Sequence, residues 1–195
     1  MNAITEYVFD MLPYMGASLL VYLCTRIIIL RKSTINPWRE GAILFFIIFS
    51  VGLASQTVIP SLEFTSSGIS IYSGGAHKTN LIPGMVFINT VRDVLNGRTH
   101  SLLINFIGNI VMFMPFGFFS ALLLKINAKK AALIGFSVSL FIETCQMFLP
   151  RTSDVDDLIL NTAGALLGYA TYKLLSRHFN NFFMKFQNPA KNPTE

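Results

Sequence analysis

The amino-acid sequence predicts an all-α fold: a polytopic membrane helix bundle of about five spans, with an outer loop that carries an amphipathic helix. Of the 195 residues, 52% are hydrophobic and only 13% are charged. Soluble domains carry about 25% charged residues, so this composition is typical of the membrane class. Five apolar stretches each approach the ~20 residues that a helix needs to cross the hydrocarbon core of a bilayer.

The five predicted spans lie at 11–30, 41–60, 102–124, 131–150 and 157–175, within a transmembrane domain over 1–179. The first is preceded by acidic residues and followed by Arg31 and Lys32, so we interpret it as a retained span rather than a cleaved signal peptide. Most connections are short, and neighbouring helices should therefore pack antiparallel. Residues 180–195 are polar and predict a flexible cytoplasmic tail.

The basic residues predict the orientation of the bundle. One side of the spans receives Arg26, Arg31, Lys32, Arg39, Lys125, Lys129, Lys130, Lys173, Arg177, Lys185 and Lys191. The other side receives Lys78, Arg92, Arg98 and Arg151. The positive-inside rule therefore predicts an N-terminus outside the cell and a C-terminus in the cytoplasm of a multi-pass membrane protein. The net charge of +5 is explained by cytoplasmic loops that face anionic lipid, and it does not indicate nucleic-acid binding.

The long connection 61–101 lies on the outer side in this orientation. Its segment 65–75 is rich in Gly and Ser and predicts a short β-hairpin. Residues 85–96 place Phe87, Ile88 and Val91 on one helical face and polar side chains on the other. This period of 3.6 residues predicts an amphipathic helix that lies on the outer surface and caps the bundle.

Polar residues within the apolar spans are the strongest functional signal in the sequence. A charge at the centre of a span costs roughly 2.5–3.5 kcal/mol on insertion scales, so such residues normally face protein or water. They recur at helical spacing as Asn105 and Asn109 in the third span, Ser139, Glu143 and Gln146 in the fourth, and Asp157 and Asn161 in the fifth. Each set shares one helix face, toward the outer half of the membrane.

These residues predict a polar cavity that opens outward between the last three spans, with Glu143 as its floor. Arg151 and Asp154 follow in the loop just above it. The candidate ligand-binding residues are therefore Asn105, Asn109, Glu143, Gln146, Arg151, Asp154, Asp157 and Asn161. Glu143 is also the candidate catalytic residue, and neither a cofactor nor a metal is predicted.

Structural roles are the alternative explanation for these residues. Asp154 could cap the fifth helix, with Asp157 favourably placed near the positive end of the helix dipole. The amides could join helices through hydrogen bonds worth about 0.6 kcal/mol each, and a protonated Glu143 could do the same. Gly164 and Gly168 form a GxxxG pattern, which serves close helix packing more often than ligand contact.

The order and spacing of these residues resemble the VanZ-like family of bacterial membrane proteins. The resemblance rests on Asn80-Leu81-Ile82-Pro83, Asn105-x-x-Gly108-Asn109-x-x-x-Phe113-x-Pro115-Phe116-Gly117, Ser139-x-x-x-Glu143-x-x-Gln146, Arg151-x-x-Asp154-x-x-Asp157 and Asn161-x-x-Gly164-x-x-x-Gly168-Tyr169. These patterns cover the region from Asn80 to Tyr169. Gly84 departs from the family, in which a bulky apolar residue is expected after the proline.

The resemblance implies a cell-envelope role without a defined reaction, because the family takes its name from an accessory protein associated with low-level teicoplanin resistance. The first hypothesis is a non-enzymatic protein that binds a membrane lipid, a lipid-linked envelope component or a lipid-like antibiotic. Teicoplanin carries an acyl chain and vancomycin does not, so a membrane site would discriminate between them. Arg151 could clamp a phosphate or carboxylate of such a ligand.

Two other classes of function are alternatives. An enzyme that modifies a lipid-linked envelope precursor would use Glu143 as general acid or base, and Asp154 and Asp157 could bind a divalent cation. The sequence contains neither a His-Glu-x-x-His nor a Gly-x-Ser-x-Gly signature, which disfavours the enzyme. Transport would use a buried carboxylate as a proton relay, but five spans without an inverted repeat disfavour it further.

Overall fold

The computed structural model describes residues 3–29, 36–59, 62–65, 68–71, 78–98, 106–149 and 152–187. The helices are α1 (Ala3–Ile29), α2 (Pro37–Thr57), α3 (Met85–Leu95), α4 (Asn109–Leu124), α5 (Ala128–Gln146), α6 (Val155–His178) and α7 (Asn180–Met184). The strands are β1 (Leu62–Thr65), β2 (Gly68–Ile71), β3 (Lys78–Asn80) and β4 (Thr152–Asp154). The predicted all-α class is confirmed, with two short strand pairs added to it.

Side-chain caps determine where several helices begin. The Asn36 side chain accepts hydrogen bonds from the backbone amides of Trp38 and Arg39, so α2 begins at Pro37. The Asn127 side chain accepts from the Lys130 amide in the same way at the start of α5. Both helices therefore begin before the apolar spans predicted at 41–60 and 131–150, because hydrophobicity marks the buried part of a helix and the cap marks its end.

The third predicted span, 102–124, corresponds to α4 and a preceding π-helical turn at 106–108. Its first residues, 102–105, lie outside the described chain. Pro115 lies inside α4, and the helix continues past it to Leu124. Lys125 ends the helix in a left-handed conformation, with φ 53°, and its amide donates to the Ala121 carbonyl.

Glycines bring α4 and α6 into backbone contact at the centre of the bundle. A Cβ atom added at Gly164 or Gly168 would overlap the carbonyl oxygens of Ile110 and Met114, respectively. Gly117 of α4 meets the α6 backbone in the same way. These contacts confirm the packing role of the GxxxG pattern, because only a residue without a side chain fits so close an approach.

The first two helices form a peripheral pair at one side of the bundle. Arg26 of α1 forms an ion pair with Glu40 of α2, with an N–O distance of 2.6 Å. The Tyr22 hydroxyl donates to the other carboxylate oxygen of Glu40, also at 2.6 Å. The only basic residue in the predicted first span is therefore neutralised by a carboxylate in the first turn of α2.

The described chain contains two short strand pairs. β1 and β2 form an antiparallel hairpin in which Leu62 pairs with Ile71, so the hairpin expected within 65–75 begins earlier in the chain. β3 and β4 are parallel, with Lys78 opposite Thr152 and Asn80 opposite Asp154. This second pairing attaches the long loop to the connection between α5 and α6.

The segment predicted as a cytoplasmic tail is described as far as Gln187. Its first part forms α7, and Phe183 of this helix is buried against Phe118 of α4 and Tyr172 of α6, with ring centroids 6.3 and 5.5 Å away. Residues 188–195 lie outside the described chain. Within the described ranges, two helices are long and apolar enough to cross a membrane, Pro37–Thr57 and Phe106–Leu124.

Candidate functional site

Polar side chains converge at one end of the central helices. α4 and α6 run parallel and both begin at this end, whereas α5 runs antiparallel and finishes there. The predicted residues Asn109, Glu143 and Asp157 therefore lie near helix termini rather than midway along the helices. Asp154 and Asp156 join them from the start of α6, and we call this end of the bundle the acidic end.

Glu143 joins the last turn of α5 to β4 through hydrogen bonds. Its side chain is only 6% exposed. One carboxylate oxygen, Oε2, accepts hydrogen bonds from the Ser153 hydroxyl and from the Asp154 backbone amide, both at 2.9 Å. Buried carboxylates need such donors because the groups would otherwise lose their hydration without replacement. Glu143 is therefore part of the structure that holds the α5–α6 connection.

Asp154 has two separate bonding partners. Its Oδ1 atom accepts from the Asp156 amide at 2.9 Å, which confirms that Asp154 is the N-cap of α6. Its Oδ2 atom accepts from the Asn80 side-chain amide at 3.0 Å. Capping is therefore only half of its role, because the same carboxylate also holds the β3 segment of the long loop.

Asp156 is a site residue that the sequence analysis missed. Asp156 is 5% exposed, and its carboxylate accepts from the backbone amides of Gly84 at 2.6 Å and Val86 at 2.7 Å. These amides belong to the start of α3, so Asp156 caps a helix distant from it in sequence. An acidic residue in the first turn of α6 is fully explained by the dipole of α6 itself, so the sequence contains no signal for this second role.

The backbone conformation at Gly84 favours glycine. Its φ of +89° lies in the left-handed region, which favours glycine over every residue with a side chain. This conformation turns the Gly84 amide toward Asp156 at the point where α3 begins. A bulky residue at this position would strain the backbone and weaken the α3 contact.

Amide side chains complete the cluster between the helices. The Asn109 side-chain amide donates to Oδ1 of Asp157, which joins α4 to α6. The Asn161 side-chain nitrogen donates to the Ser139 hydroxyl at 2.9 Å, which joins α6 to α5. The Asn161 carbonyl oxygen is buried and has no hydrogen-bond partner among the described residues. Leaving such an oxygen unpaired normally costs about 1–3 kcal/mol.

The electrostatic balance of the acidic end is unusual. Four carboxylates lie there, those of Glu143, Asp154, Asp156 and Asp157. None of them forms an ion pair with a Lys or Arg in the described part of the chain. Backbone amides, the Asn80 and Asn109 side-chain amides and the Ser153 hydroxyl donate hydrogen bonds to them instead. Within the same described ranges, no group of three or more acidic, His or Cys side chains is arranged to hold a metal ion.

An apolar cavity adjoins this cluster. It has a volume of about 240 Å³ and is lined by Gly84, Val86, Phe87, Phe106, Asp156, Ile159 and Leu160. Asp156 is the one charged lining residue, and both of its carboxylate oxygens are occupied by the backbone of α3. The cavity therefore presents hydrocarbon to an occupant, with polar groups at its edge.

The remaining predicted residues are less closely connected to the cluster. Gln146 ends α5 and is partly exposed, and its backbone carbonyl accepts a hydrogen bond from the Leu149 amide at 3.0 Å. Asn105 and Arg151 lie outside the described residues. The structure thus brings together Asn109, Glu143, Asp154, Asp157 and Asn161 of the eight predicted residues, and it adds Asp156.

Within the described residues, the all-α fold contains two helices long and apolar enough to cross a membrane, as helical membrane proteins do. Residues 41–176 match the profile of the VanZ/LLP1 family, and because this is more than half of the sequence, the chain belongs to that family. The match begins within α2, so α1 lies outside it.

The chain is also similar to a protein that carries the name of this family. The chain is 37% identical over 83 residues to Protein VanZ of Enterococcus faecium, a match that covers 38% of this chain and 47% of that protein. The matched part is thus about half the length of the relative. No solved structure matches the chain. Family membership and the two apolar helices together indicate a membrane protein.

Proposed function

We propose that the chain crosses the bacterial cell membrane five times, through α1, α2, α4, α5 and α6. These helices contain 27, 21, 16, 19 and 24 residues, and the π-helical turn at 106–108 lengthens α4. Large apolar side chains are exposed along all five, including Leu20, Phe45, Val111, Phe141 and Ile159. Exposed apolar surface of this extent supports contact with lipid.

The charges at the two ends support the proposed orientation. Carboxylates gather where α4 and α6 begin, whereas Arg39, Lys125, Lys129, Lys173 and Arg177 lie toward the opposite ends of the helices. The positive-inside rule then assigns the basic end and the C-terminus to the cytoplasm, and the acidic end and the N-terminus to the outside. In this orientation α3 lies on the outer side.

We further propose that the acidic end binds a lipid-linked envelope component or a lipid-like antibiotic, and that binding gives low-level resistance to teicoplanin. One observation carries this proposal: an apolar cavity and a buried polar cluster lie side by side and share Asp156. A ligand with an acyl chain and a polar headgroup is divided into an apolar part and a polar part in the same way. The chain would enter the cavity and the headgroup would contact the cluster.

The hydrogen-bond acceptors that remain free in the cluster determine which headgroups can bind. The Asn161 carbonyl oxygen has no partner within the described chain, and Glu143 accepts both of its hydrogen bonds through one oxygen. These are acceptors in a negatively charged region, so hydroxyl or ammonium groups suit them better than a bare phosphate does. A ligand phosphate or carboxylate would need Arg151, as the sequence analysis proposed.

The enzyme alternative assigns a different role to Glu143. Its Oε1 atom accepts no hydrogen bond from the described residues, so it could exchange a proton with a substrate. Binding and catalysis then differ in their product. A bound ligand is recovered with its mass unchanged, whereas an enzyme returns a ligand of altered mass.

The function is tested by antibiotic susceptibility in a susceptible Gram-positive host. The host would express wild-type chain, Glu143→Gln or Lys125→Gln, with membrane abundance matched by blotting. Glu143→Gln keeps an acceptor oxygen for Ser153 and Asp154 but removes the charge, and Lys125→Gln removes a charge at the other end. We expect teicoplanin tolerance, without vancomycin tolerance, from wild type and Lys125→Gln but not from Glu143→Gln.

The outcomes separate the candidate functions. Unchanged susceptibility with abundant wild-type protein would contradict a role in teicoplanin resistance. Full protection by Glu143→Gln would contradict both a charge-dependent site and acid–base catalysis. The mass of a lipid-linked envelope precursor would be measured before and after incubation with purified protein. A changed mass supports the enzyme, and an unchanged mass contradicts it.

A further inference from the structure

The basic end of the bundle carries a second surface that the proposed function does not use. It consists of the start of α2, the end of α4 and the short helix α7. Four aromatic rings meet there, those of Trp38, Phe182, Phe183 and Phe186, and we call them the aromatic cluster. The Trp38 ring lies 5.9 Å from Phe182 and 5.8 Å from Phe186, measured between ring centroids, both in edge-to-face geometry.

Hydrogen bonds fix α7 in this position. The Asn36 side-chain amide donates to the backbone carbonyls of Lys185 and Gln187, each at 2.8 Å. The same Asn36 caps α2 through its side-chain oxygen, so one residue joins the start of α2 to the end of α7. Phe183 is 8% exposed and anchors the other side of α7 against α4 and α6. The surface is therefore built by contacts on both sides.

The outer side of the aromatic cluster stays exposed. Trp38 is 47% exposed and Phe182 45%, and their neighbours Phe179 and Met184 are more exposed still. Exposed Trp and Phe side chains close to charged residues are typical of the interface between the hydrocarbon core and the lipid headgroups. This surface therefore suits the region of a lipid where the acyl chain meets the headgroup.

Unpaired cations border the exposed rings. The Lys185 ammonium lies 5.0 Å from the Trp38 ring centroid. The Lys125 ammonium donates to the neutral Gln187 side-chain oxygen at 3.1 Å. Neither lysine forms an ion pair within the described chain, and Glu40, the carboxylate two residues after Trp38, is occupied by Arg26. Among the described residues, no carboxylate neutralises the positive charge of this surface.

We propose that this surface binds an anionic phospholipid of the surrounding membrane. Lys125 and Lys185 would contact the phosphate, and the upper part of an acyl chain would lie on Trp38 and Phe182. The charge complementarity selects an anionic lipid over a zwitterionic one. This site lies at the end of the bundle opposite to the acidic cluster, so it rests on the proposed membrane insertion but not on ligand binding at the acidic end.

Trp38 reports on this site directly because it is the single tryptophan of the chain. The purified protein would be reconstituted in mixed phosphatidylcholine and phosphatidylglycerol vesicles, with bromine near the headgroup end of the acyl chains of one lipid. The two preparations would contain equal mole fractions of the two lipids and therefore equal bromine. We expect stronger quenching of Trp38 by brominated phosphatidylglycerol, corresponding to about fivefold local enrichment.

Substitution of the two lysines tests whether they cause the preference for phosphatidylglycerol. Lys125→Gln combined with Lys185→Gln should make quenching by the two brominated lipids equal. Arg92→Gln combined with Arg98→Gln removes the same charge from the α3 region and should retain the preference. Each variant is compared with its own fluorescence in unbrominated vesicles, because Lys185 also affects the Trp38 emission. Equal quenching of wild type, absence of quenching, or a preference retained by the lysine variant would each overturn the proposal.

Discussion

The acidic and basic ends of the bundle are held together by different physical interactions. At the acidic end, Glu143, Asp154 and Asp156 are each bonded to backbone amides, and two of these three carboxylates are buried. At the basic end, aromatic rings pack around α7, and the lysines beside them are exposed and have no acidic partner among the described residues. Directional bonds thus dominate one end and non-directional contacts the other.

This difference indicates how each end should respond to amino-acid substitution. A buried acceptor that loses its donor, or a donor that loses its acceptor, is strongly destabilising because water cannot replace the partner. An exposed ammonium on a ring surface is replaced by solvent and ions with little effect on folding. Substitutions at the acidic end should therefore lower the stability of the fold. Substitutions at the basic end should change the stability little, but they should change the interaction with the surrounding lipid.

The largest effect is expected where the two ends are joined, at the α4–α6 contact. Gly168→Ala places a Cβ atom against the Met114 carbonyl and should lower the stability by about 3 kcal/mol. Gly41→Ala is the matched control, because a Cβ atom there meets nothing within 4 Å and should raise the stability of α2 by about 0.5–1 kcal/mol. Thermal unfolding in detergent, followed by circular dichroism, measures both. Equal melting temperatures would contradict the close helix contact.

The next largest effect concerns the junction of α5 and β4. Glu143→Ala leaves the Ser153 hydroxyl and the Asp154 amide without their acceptor and should cost about 2–3 kcal/mol. Glu143→Gln retains one acceptor oxygen and should remain within about 1 kcal/mol of wild type. Chemical or thermal unfolding in detergent compares the two variants. A stable alanine variant would show that these hydrogen bonds do not hold the end together.

A more local effect is expected at the start of α3. Asp156→Asn has one acceptor oxygen for two backbone amides, so either Gly84 or Val86 loses its partner. Hydrogen exchange over residues 84–95 should accelerate about tenfold, with little change in α4 and α6. Asp93→Asn removes the same charge from α3 and should have a smaller effect, since its ion pair with Arg98 is partly exposed. Equal acceleration by both variants would contradict the capping role of Asp156.

The smallest effect on stability is expected at the basic end. Lys125→Gln removes an exposed hydrogen bond to Gln187 and should change the unfolding free energy by less than about 0.5 kcal/mol. The melting temperature in zwitterionic detergent should therefore equal that of wild type within error. A loss comparable to that of Glu143→Ala would show that the two ends do not differ in the way described above.

The sequence predicted those features that depend on local spacing. The GxxxG spacing predicted the Gly164 and Gly168 contacts, and the position of Asp154 before an apolar helix predicted its capping role. Helical periodicity also placed Asn109 and Asp157 on faces that could meet. In each case the relevant information lies within a few turns of one helix.

The features that sequence reasoning missed depend on contacts between distant segments. The β3–β4 pair joins three-residue strands whose partners are more than seventy positions apart, and such short strands have no recognisable pattern. The contact of Asp156 with Gly84 and Val86 follows from that pairing, because β3 brings the start of α3 beside α6. The lysine and aromatic surface at α7 was assigned to a polar tail, since five residues of helix are too few for periodicity to indicate packing.

The most direct test of the central claim is ligand binding to the purified protein in lipid nanodiscs. Teicoplanin and vancomycin would be titrated against wild type, Ile159→Phe and Leu167→Phe while the melting temperature is recorded. Ile159 lines the cavity beside the acidic cluster, whereas Leu167 is an exposed apolar residue of the same helix that does not line it. A ligand that binds the folded state raises its melting temperature in proportion to the logarithm of ligand concentration.

The account predicts that teicoplanin raises the melting temperature of wild type and Leu167→Phe, and that Ile159→Phe abolishes the rise. Vancomycin should produce no rise in any of the three proteins. An equal rise with both antibiotics would contradict a site that recognises an acyl chain. An undiminished rise in Ile159→Phe would contradict the placement of the ligand in this cavity.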